Sequence, residues 1–414
     1  MFFYVILITG GYMNLEIEKL DHQGRGIAHI NDKIVFIENA LPGEIVDILI
    51  TKQNKKIAEA IVKKYIKKSD KRIESVCPYY KECGGCNLLH MSYKDQLEYK
   101  QNKVIDIMKR FALLEEGKVK KIVESPNQFN YRNKVTFKYN GKVGYYKRNT
   151  NDIVNINYCH LLNESLNKEI ENINNIRTRN RIKEIVVRDI NESDKQITFD
   201  LQKYTENITY PSLKINYTVD NRLIKPIDKS KIIGKICNKE FEVSPTAFFQ
   251  VNTQQVTNLY NKITEYVKKN VNPTVLDLYC GTGTIGICVS DYAKKILGIE
   301  INKMAIIDAK NNAKINNVNN IDFIAGDTKT ILKNKDYKTD IIILDPPRAG
   351  LDKEVIEDIK RFNAKEIIYV SCDPITLARD IKLLSDLYDV KEVTPFDMFP
   401  NTYHVECVCV MKLR

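Results

Sequence analysis

Residues Val275–Gly286 read VLDLYCGTGTIG. The first residues of this stretch are apolar, as in a buried strand, and the glycines that follow predict a tight turn that leads into a helix. A second apolar run, Ile296–Ile299, ends at Glu300. Strands that alternate with helices predict an α/β fold with a doubly wound, Rossmann-like sheet, which we expect over residues 244–414.

Val275–Gly286 formally matches the G-x-G-x-x-G fingerprint of dinucleotide-binding folds, with Glu300 placed to bind ribose hydroxyls. The fingerprint alone is not specific, because adenosine-containing cofactors in general bind at such turns. A dehydrogenase also needs a hydride-transfer site, and none is found in the sequence. A methyltransferase that uses S-adenosylmethionine needs a ribose acid and a polar residue near the adenine, for which Asp327 stands one strand later. The residues therefore favour a methyltransferase.

Three further segments place reactive side chains where strands are predicted to end. Residues 367–374 (IIYVSCDP) form an apolar run that ends at Cys372, before a proline that cannot continue a strand. Residues 344–348 (LDPPR) place Asp345 at a second strand end, and Glu406 stands late in the chain. Because ligands bind at the carboxyl ends of strands in open α/β sheets, these three side chains are predicted to form one catalytic site.

The composition is that of a globular protein with two or three domains: 414 residues, 43% hydrophobic and 28% charged. A formal net charge of +11 indicates a polyanionic partner, although A/T-biased coding also enriches lysine. The apolar run near the N-terminus is too short to span a membrane, so residues 1–12 are predicted to be a dispensable extension. Ten cysteines without a signal peptide predict a cytoplasmic protein. We expect a monomer with no membrane partner.

Residues 13–72 alternate apolar and polar positions between turn signals, as in a small OB-like β-barrel. The end of this region is strongly basic: between Lys52 and Arg72, nine lysines and arginines stand against two acids. A charge run is usually a solvated face. Next to a small β-barrel, however, an RNA-binding surface explains the same run of positive charges equally well.

Cys77, Cys83 and Cys86 follow the barrel with the spacing C-x5-C-x2-C, and two glycines stand between the last two. Glycines allow the tight backbone turns that bring neighbouring thiolates onto one metal ion or cluster. Cys159 is the nearest candidate for a fourth ligand. Four thiolates satisfy either zinc or a [4Fe–4S] cluster, and the spacing does not choose between them.

Residues 73–243 are predicted to form a central, β-rich domain that carries these cysteines. Within it, residues 94–125 show the apolar spacing of a helix. Residues 127–151 contain six lysines and arginines, six aromatic residues and no acid. Cations interleaved with rings suit an RNA surface, because phosphates pair with the former and bases stack on the latter. The alternative is a β-meander that buries half of its aromatic side chains.

Several motifs together resemble the RNA 5-methyluridine methyltransferases over nearly the whole chain. They are Ser244–Asn252 (SPTAFFQVN), Asp277–Gly286, Asp345–Arg348, Ser371–Pro374, and Asp397–Pro400 with His404–Glu406. The resemblance implies that the N-terminal barrel is a TRAM domain and that the helix after Cys86 packs on the catalytic domain. It also implies that four cysteines are iron–sulfur ligands, namely Cys77, Cys83, Cys86 and Cys159.

The same resemblance implies roles for residues of the predicted site. S-adenosylmethionine would be bound by Gln250, Tyr279, Thr284, Glu300, Asp327 and Asp345. Cys372 would be the nucleophile and Glu406 the base. Two positions depart from the family pattern: Thr284 stands where some members have asparagine, and His160 rather than proline follows Cys159.

This chemistry requires these residue types. A thiolate that adds to C6 of uracil makes C5 nucleophilic enough to take a methyl group, and a carboxylate must then remove the C5 proton. Phe248 or Phe249 is expected to stack on the flipped base. Phosphate contacts are expected from Lys63, Lys64, Lys67, Lys68, Arg132 and Lys134.

The expected substrate is 23S ribosomal RNA, because the barrel and the basic central region add surface that a minimal enzyme would not need. A transfer RNA uracil-C5 methyltransferase and an RNA cytosine-C5 methyltransferase are the alternatives. A nucleic-acid-binding protein with a decayed catalytic domain belongs to a different class, and the thiol, the acids and the glycine turn argue against it.

Overall fold

The computed structural model of the protein describes residues 14–191, 194–210, 213–220, 222–224, 231–333 and 337–414. The predicted N-terminal extension lies outside these residues. The chain divides into two compact units. The first contains the chain up to Tyr80 with residues 85–96 and 401–403, and the second contains residues 81–84, 97–400 and 404–414.

The first unit is built on a six-stranded sheet. Its strands are β1 (Asn14–Glu16), β2 (Lys19–Leu20), β3 (Gly26–Ile30), β4 (Lys33–Glu38), β5 (Ile45–Gln53) and β6 (Ile57–Lys67). They lie in the order β1-β5-β6-β4-β3-β2, with β4 and β6 parallel and the other pairs antiparallel. Alternate side chains such as Val35 and Ile37 are fully buried, as the period of two predicts. The predicted small β-barrel is confirmed.

The helix predicted at residues 94–125 is shorter than expected. Helix α1 spans Tyr93–Phe111 and ends where Leu113 adopts a left-handed φ of 57°. A single 3₁₀ turn follows at Glu116–Lys118. Val119 and Val123 then form parallel bridges with Val393 and Phe396. The helix prediction is therefore wrong after Phe111, because apolar residues that suit a helix here lie along the edge of a sheet.

The middle of the second unit is β-rich, as predicted. Its elements are β7 (Lys134–Tyr139), β8 (Val143–Tyr146), β9 (Ile153–Asn155), α2 (Glu164–Asn174), β10 (Ile182–Asp189), β11 (Lys195–Leu201), β12 (Lys214–Val219) and β13 (Arg222–Leu223). Within the described residues these strands form one sheet in the order β13-β12-β11-β10-β7-β8-β9. A hairpin of β14 (Ile232–Ile236) and β15 (Lys239–Val243) follows.

The rest of the second unit alternates strands and helices. They are α3 (Thr253–Lys268), β16 (Thr274–Leu278), α4 (Thr284–Val289), β17 (Lys295–Glu300), α5 (Lys303–Ile315), β18 (Ile321–Ala325), α6 (Thr328–Lys333), β19 (Ile341–Leu344), α7 (Lys353–Phe362), β20 (Glu366–Ser371), α8 (Pro374–Leu384), β21 (Tyr388–Phe396) and β22 (Glu406–Leu413). The sheet order is β18-β17-β16-β19-β20-β22-β21. Strands β16 to β20 are parallel, β22 runs antiparallel to them, and β21, which pairs antiparallel with β22, again has the direction of β20. The predicted doubly wound fold is confirmed.

Helices cover both faces of this sheet, so its central strands are apolar along their whole length. All four residues of β19 are buried. On one face, Val104 and Ile107 of α1 belong to the same apolar core as Leu276 and Tyr369 of the sheet. Helix α1 therefore packs on the doubly wound sheet through its residues after Leu97. No helix within the described ranges is both long and apolar enough to cross a membrane.

Candidate active site

A cavity of about 730 Å³ opens at the carboxyl ends of the parallel strands. All eight residues predicted for catalysis or cofactor binding line it: Gln250, Tyr279, Thr284, Glu300, Asp327, Asp345, Cys372 and Glu406. They come from segments between residues 250 and 406, and five of them stand at the end of a parallel strand or within two residues after it: Tyr279, Glu300, Asp327, Asp345 and Cys372. Their individual roles remain predictions.

The glycine turn between β16 and α4 leaves room for a ligand. Tyr279, Gly281 and Gly283 all have a positive φ, of 64°, 54° and 77°. A Cβ atom at Gly281 would meet no atom within 4 Å, whereas one at Gly283 would lie 2.8 Å from Phe323. The lack of a side chain at Gly281 therefore leaves open space next to the turn. The lack of one at Gly283 lets the turn pack closely against Phe323.

Glu300, at the end of β17, is oriented by backbone groups before any ligand binds. Its two carboxylate oxygens accept hydrogen bonds from the backbone N–H groups of Gly281 at 3.2 Å and Asn302 at 2.8 Å. Asp327 is held similarly, by the N–H and the hydroxyl of Thr330, both at 2.9 Å. Two oriented carboxylates beside an open glycine turn fit the ribose and adenine of S-adenosylmethionine.

Thr284, which stands where some family members have asparagine, shares a hydrogen bond with a second hydroxyl group in the pocket. Its hydroxyl lies 2.9 Å from the hydroxyl of Tyr260, and both residues line the pocket. Tyr260 belongs to α3 and is almost fully buried. The sequence analysis missed Tyr260, because a tyrosine in the middle of an amphipathic helix carries no local signal of a pocket.

Cys372 lies between the end of β20 and the start of α8. Asp373 caps that helix by accepting hydrogen bonds from the N–H groups of Ile375 at 2.9 Å and Thr376 at 3.4 Å. Burial raises the pKa of the Cys372 thiol to about 11, and the negative charge of Glu406 adds to the shift. The thiol is therefore protonated in the free protein at neutral pH.

Strand register places Glu406 beside Cys372. Antiparallel β20 and β22 pair Ser371 with Cys407, so that the residues following one and preceding the other, Cys372 and Glu406, are neighbours. Burial, with the charge of Asp345, raises the pKa of Glu406 to about 8, while Arg348 opposes the shift. Burial also raises the pKa of Asp345 to about 7. Two buried carboxylates therefore share this end of the pocket with the thiol.

Arg348 and His404 also line the pocket, and the sequence analysis quoted both within motifs without giving either a role. Burial, with the positive charge of Arg348, lowers the pKa of His404 to about 3. The imidazole is therefore neutral throughout the physiological range. Its ring packs edge-on against Phe399, with the ring centres 6.0 Å apart.

The structure distinguishes the two phenylalanines that were expected to stack on a base. Phe249 is 3% exposed and packs against Phe241 in the core. Phe248 is 70% exposed and lies at the wall of the pocket. Phe249 also lines the pocket, but Phe248 has by far the more exposed ring of the two.

The four cysteines predicted as metal ligands are half-buried, and none of the ten cysteines, all of which lie in the described residues, forms a disulfide. Cys77 and Cys86 belong to the first unit, and Cys83 and Cys159 belong to the second. In the second unit both thiols lie near the hydroxyl of Tyr145, whose pKa is raised by burial and by Cys159. Across the described parts of the chain, no three or more His, Cys, Asp or Glu side chains are arranged to hold a metal ion. Four thiols are donors of the kind that a thiolate-bound metal or cluster requires.

The residues expected to meet phosphates fall into two groups. Lys63, Lys64, Lys67 and Lys68 are exposed along and just after β6. Arg132 and Lys134 are half-buried, before and at the start of β7. Only the first group therefore has the exposure of an ordinary basic surface.

Comparison with known proteins gives the family. A family model described as tRNA (Uracil-5-)-methyltransferase matches residues 228–414, and a TRAM domain model matches residues 8–63. A relative from Clostridium tetani, described as an uncharacterized RNA methyltransferase, is 37% identical over 96% of this chain and 95% of its own length. A relative with the same description from Clostridium acetobutylicum is 34% identical over 96% of both chains.

A solved structure is similar over almost the whole chain. The crystal structure of Pyrococcus abyssi tRNA (uracil-54, C5)-methyltransferase in complex with S-adenosyl-L-homocysteine has a TM-score of 0.77 and 27% sequence identity. The match covers 96% of this chain and 100% of that one. This protein belongs to the S-adenosylmethionine-dependent RNA uracil-C5 methyltransferases that carry a TRAM domain.

Proposed function

We propose that this enzyme methylates C5 of a uridine in RNA through a covalent adduct between Cys372 and C6 of the base. The observation that carries the proposal is the adjacency of Cys372 and Glu406, with Asp345, in the pocket whose other end is the glycine turn. The family assignment to uracil sets aside the cytosine alternative. When bound, S-adenosylmethionine supplies the methyl group as a sulfonium.

The thiol must first lose its proton. The raised pKa of Cys372 disfavours the thiolate in the free enzyme, so the thiol loses its proton as the sulfur attacks the uracil ring. Asp345 is the neighbouring acceptor that leaves Glu406 unprotonated for the later step, and Arg348 counters the charge that develops on the sulfur. The sulfur forms a bond to C6, and the electron pair of the C5–C6 double bond moves towards C5 and O4. C5 then takes the methyl group.

The methylated adduct still carries a proton at C5. Glu406 is proposed to remove it, after which the C5–C6 double bond forms again and the thiolate leaves. With a pKa of about 8, Glu406 is populated in both its charged and its protonated forms near neutral pH. This suits a group that must take up a proton and release it.

Phe248 is proposed to stack on the uridine when it leaves the RNA strand, because it is the exposed ring at the pocket wall. The base would then lie between this ring and the thiol. Removal of a stacking ring costs about 1–3 kcal/mol of affinity per base, so the effect of Phe248→Ala is large enough to measure.

The proposed substrate is 23S ribosomal RNA, on the sequence argument that the barrel and the basic central region add RNA-binding surface. Transfer RNA is a second candidate, and a specific observation favours it. The Pyrococcus enzyme, whose name specifies tRNA uracil-54, matches 96% of this chain, so the additional surface does not by itself distinguish the two substrates. We also propose that the protein is a monomer in the cytoplasm, as expected from the sequence.

We also propose that Cys77, Cys83, Cys86 and Cys159 bind one [4Fe–4S] cluster. The support is their spacing in sequence and the family resemblance. We derive no step of methylation through the cluster.

The experiment that tests the function is transfer of a labelled methyl group to separated ribosomal and transfer RNA pools, followed by mapping of the modified nucleotide. Label at C5 of uridine in one pool, lost in Cys372→Ala and kept in Cys237→Ala, is the expected result. Cys237 is a matched control because it is also half-buried and does not line the pocket. Label on another base or at another atom of uridine would overturn the proposal.

A further inference from the structure

Two basic side chains face each other across the central sheet without an acid between them. The register of β7 and β10 pairs Lys134 with Arg188 and, four residues along on the same face, Lys138 with Glu184. Lys138 forms an ion pair with Glu184. Lys134 has a cation opposite to it instead. Like charges directly opposite in a sheet are destabilising, so this pair has no evident structural purpose.

Arg188 is committed to the protein backbone. It is 1% exposed, and its guanidinium donates hydrogen bonds to the carbonyl oxygens of Ala247 at 2.8 Å and Ser244 at 3.4 Å. Its charge is nevertheless not neutralised, because neither acceptor is an acid. Burial lowers the pKa of Arg188 to about 10.

The Lys134 ammonium has no such partner. No residue in the described part of the chain forms a hydrogen bond or an ion pair with it. Burial, with the charge of Arg188, lowers the pKa of Lys134 to about 8. A half-buried ammonium beside a second buried cation is unfavourable in the free protein, and an anion would relieve this.

The position of the pair suggests which anion this is. Arg188 holds the segment that leads into Phe248, the exposed ring at the pocket wall. Asn133, next to Lys134, donates hydrogen bonds to the carbonyl oxygen of Gln250 at 3.0 Å and to the hydroxyl of Thr253 at 2.9 Å. The cations therefore lie beside the segment that lines the entrance used by the base. RNA carries a phosphate at each nucleotide.

We propose that Lys134, backed by Arg188, binds a phosphodiester of the RNA strand next to the flipped uridine. The inference rests on the proposed function, and it separates Lys134 from the exposed lysines of β6. Those lysines would contribute charge that many RNA phosphates can share. Lys134 would instead hold one phosphate at a fixed distance from Phe248 and thereby set which nucleotide enters the pocket.

The test compares Lys134→Met with Lys134→Arg and with Lys138→Met. Lys138 is the matched control, because it stands on the same face of the same strand but is neutralised by Glu184. The probe is a 15-nucleotide oligouridylate, titrated at several salt concentrations. Lys134→Met should weaken binding roughly tenfold and reduce the slope of log K against log salt by about 0.7, the value for one phosphate on a single strand. Lys134→Arg and Lys138→Met should keep the wild-type slope.

Two further measurements separate a ligand site from a structural lysine. Lys134→Met should raise the melting temperature, because it removes a repulsion, whereas loss of a structural contact would lower it. Affinity for S-adenosyl-L-homocysteine should stay at the wild-type value, and a loss there would mean that the anion is the carboxylate of the cofactor, which overturns the proposal. A wild-type RNA slope in Lys134→Met would also overturn it. If the wild-type protein transferred no methyl group to uridine, the proposed function would fail, and the binding result would still stand.

Discussion

The ammonium of Lys100 on α1 donates a hydrogen bond of 2.5 Å to Asp397, and neither side chain is exposed to solvent. The same ammonium donates to the carbonyl oxygen of Phe399 at 3.1 Å. Asp397 begins the segment that leads to His404 and Glu406 in the pocket. A residue that stands 297 positions earlier in the chain therefore fixes the start of a segment that lines the pocket.

Loss of this ion pair should destabilise the protein strongly. Lys100→Met leaves the Asp397 carboxylate buried without its partner, which typically lowers the free energy of unfolding by about 3–5 kcal/mol. The double variant Lys100→Met/Asp397→Asn removes both charges and should lose less. Unfolding in denaturant measures the difference, with Lys109→Met on the exposed face of the same helix as the control. A single variant as stable as the double variant would show that the pair is not an effective ion pair.

Glu300 is expected to bind the ribose of the cofactor. Glu300→Gln replaces one acceptor oxygen by an amide group and removes the negative charge, so affinity for S-adenosyl-L-homocysteine should fall about 10–100-fold. Calorimetric titration measures it, with Glu357→Gln on the exposed surface of α7 as the control. Unchanged affinity in Glu300→Gln would remove this residue from the cofactor site.

The rate of methylation should rise with pH. The pKa of Cys372 is raised to about 11 and that of Glu406 to about 8, and the reactive form of each is the deprotonated one. Both shifts therefore place the active state at higher pH, and the single-turnover rate should increase from about pH 6 to pH 9. Cofactor affinity over the same range is the control. A rate that falls across this range would contradict the assignment of both groups.

The cysteine cluster predicts the metal content. Protein purified without oxygen should contain iron and sulfide, show a broad visible absorption, and lose both in Cys159→Ala but not in Cys237→Ala. Methyl transfer should not depend on the redox state of the cluster. Stoichiometric zinc without iron would refute the cluster and leave a structural zinc site in its place.

The sequence predicted the pocket because its residues stand at strand ends, where position along the chain determines position in space. Asp345 follows β19 and Cys372 follows β20, so both had to lie at the carboxyl edge of a parallel sheet. Glu300 at the end of β17 is a third case. No knowledge of long-range contacts was needed for these residues.

The remaining features depend on contacts that no local pattern encodes. The pairing of β22 with β20 decides that Glu406 lies beside Cys372, and the partner of Lys100 is determined only by tertiary packing. The residue that β10 places opposite Lys134, a second cation, is determined by strand register. The end of α1 was misplaced because the apolar residues after Phe111 suit a helix or a sheet edge equally well in sequence.

One measurement tests both proposed catalytic groups, Cys372 as nucleophile and Glu406 as general base. Glu406→Gln is incubated with RNA and S-adenosylmethionine that carries a labelled methyl group, and the products are separated by denaturing electrophoresis. Thiol addition and methyl transfer precede the step that needs the base, so a labelled protein–RNA species should accumulate and decay slowly, since loss of a general base typically costs about 10²–10⁴-fold. Cys372→Ala should form no such species. Normal turnover by Glu406→Gln, or the same trapped species in Cys372→Ala, would contradict the account.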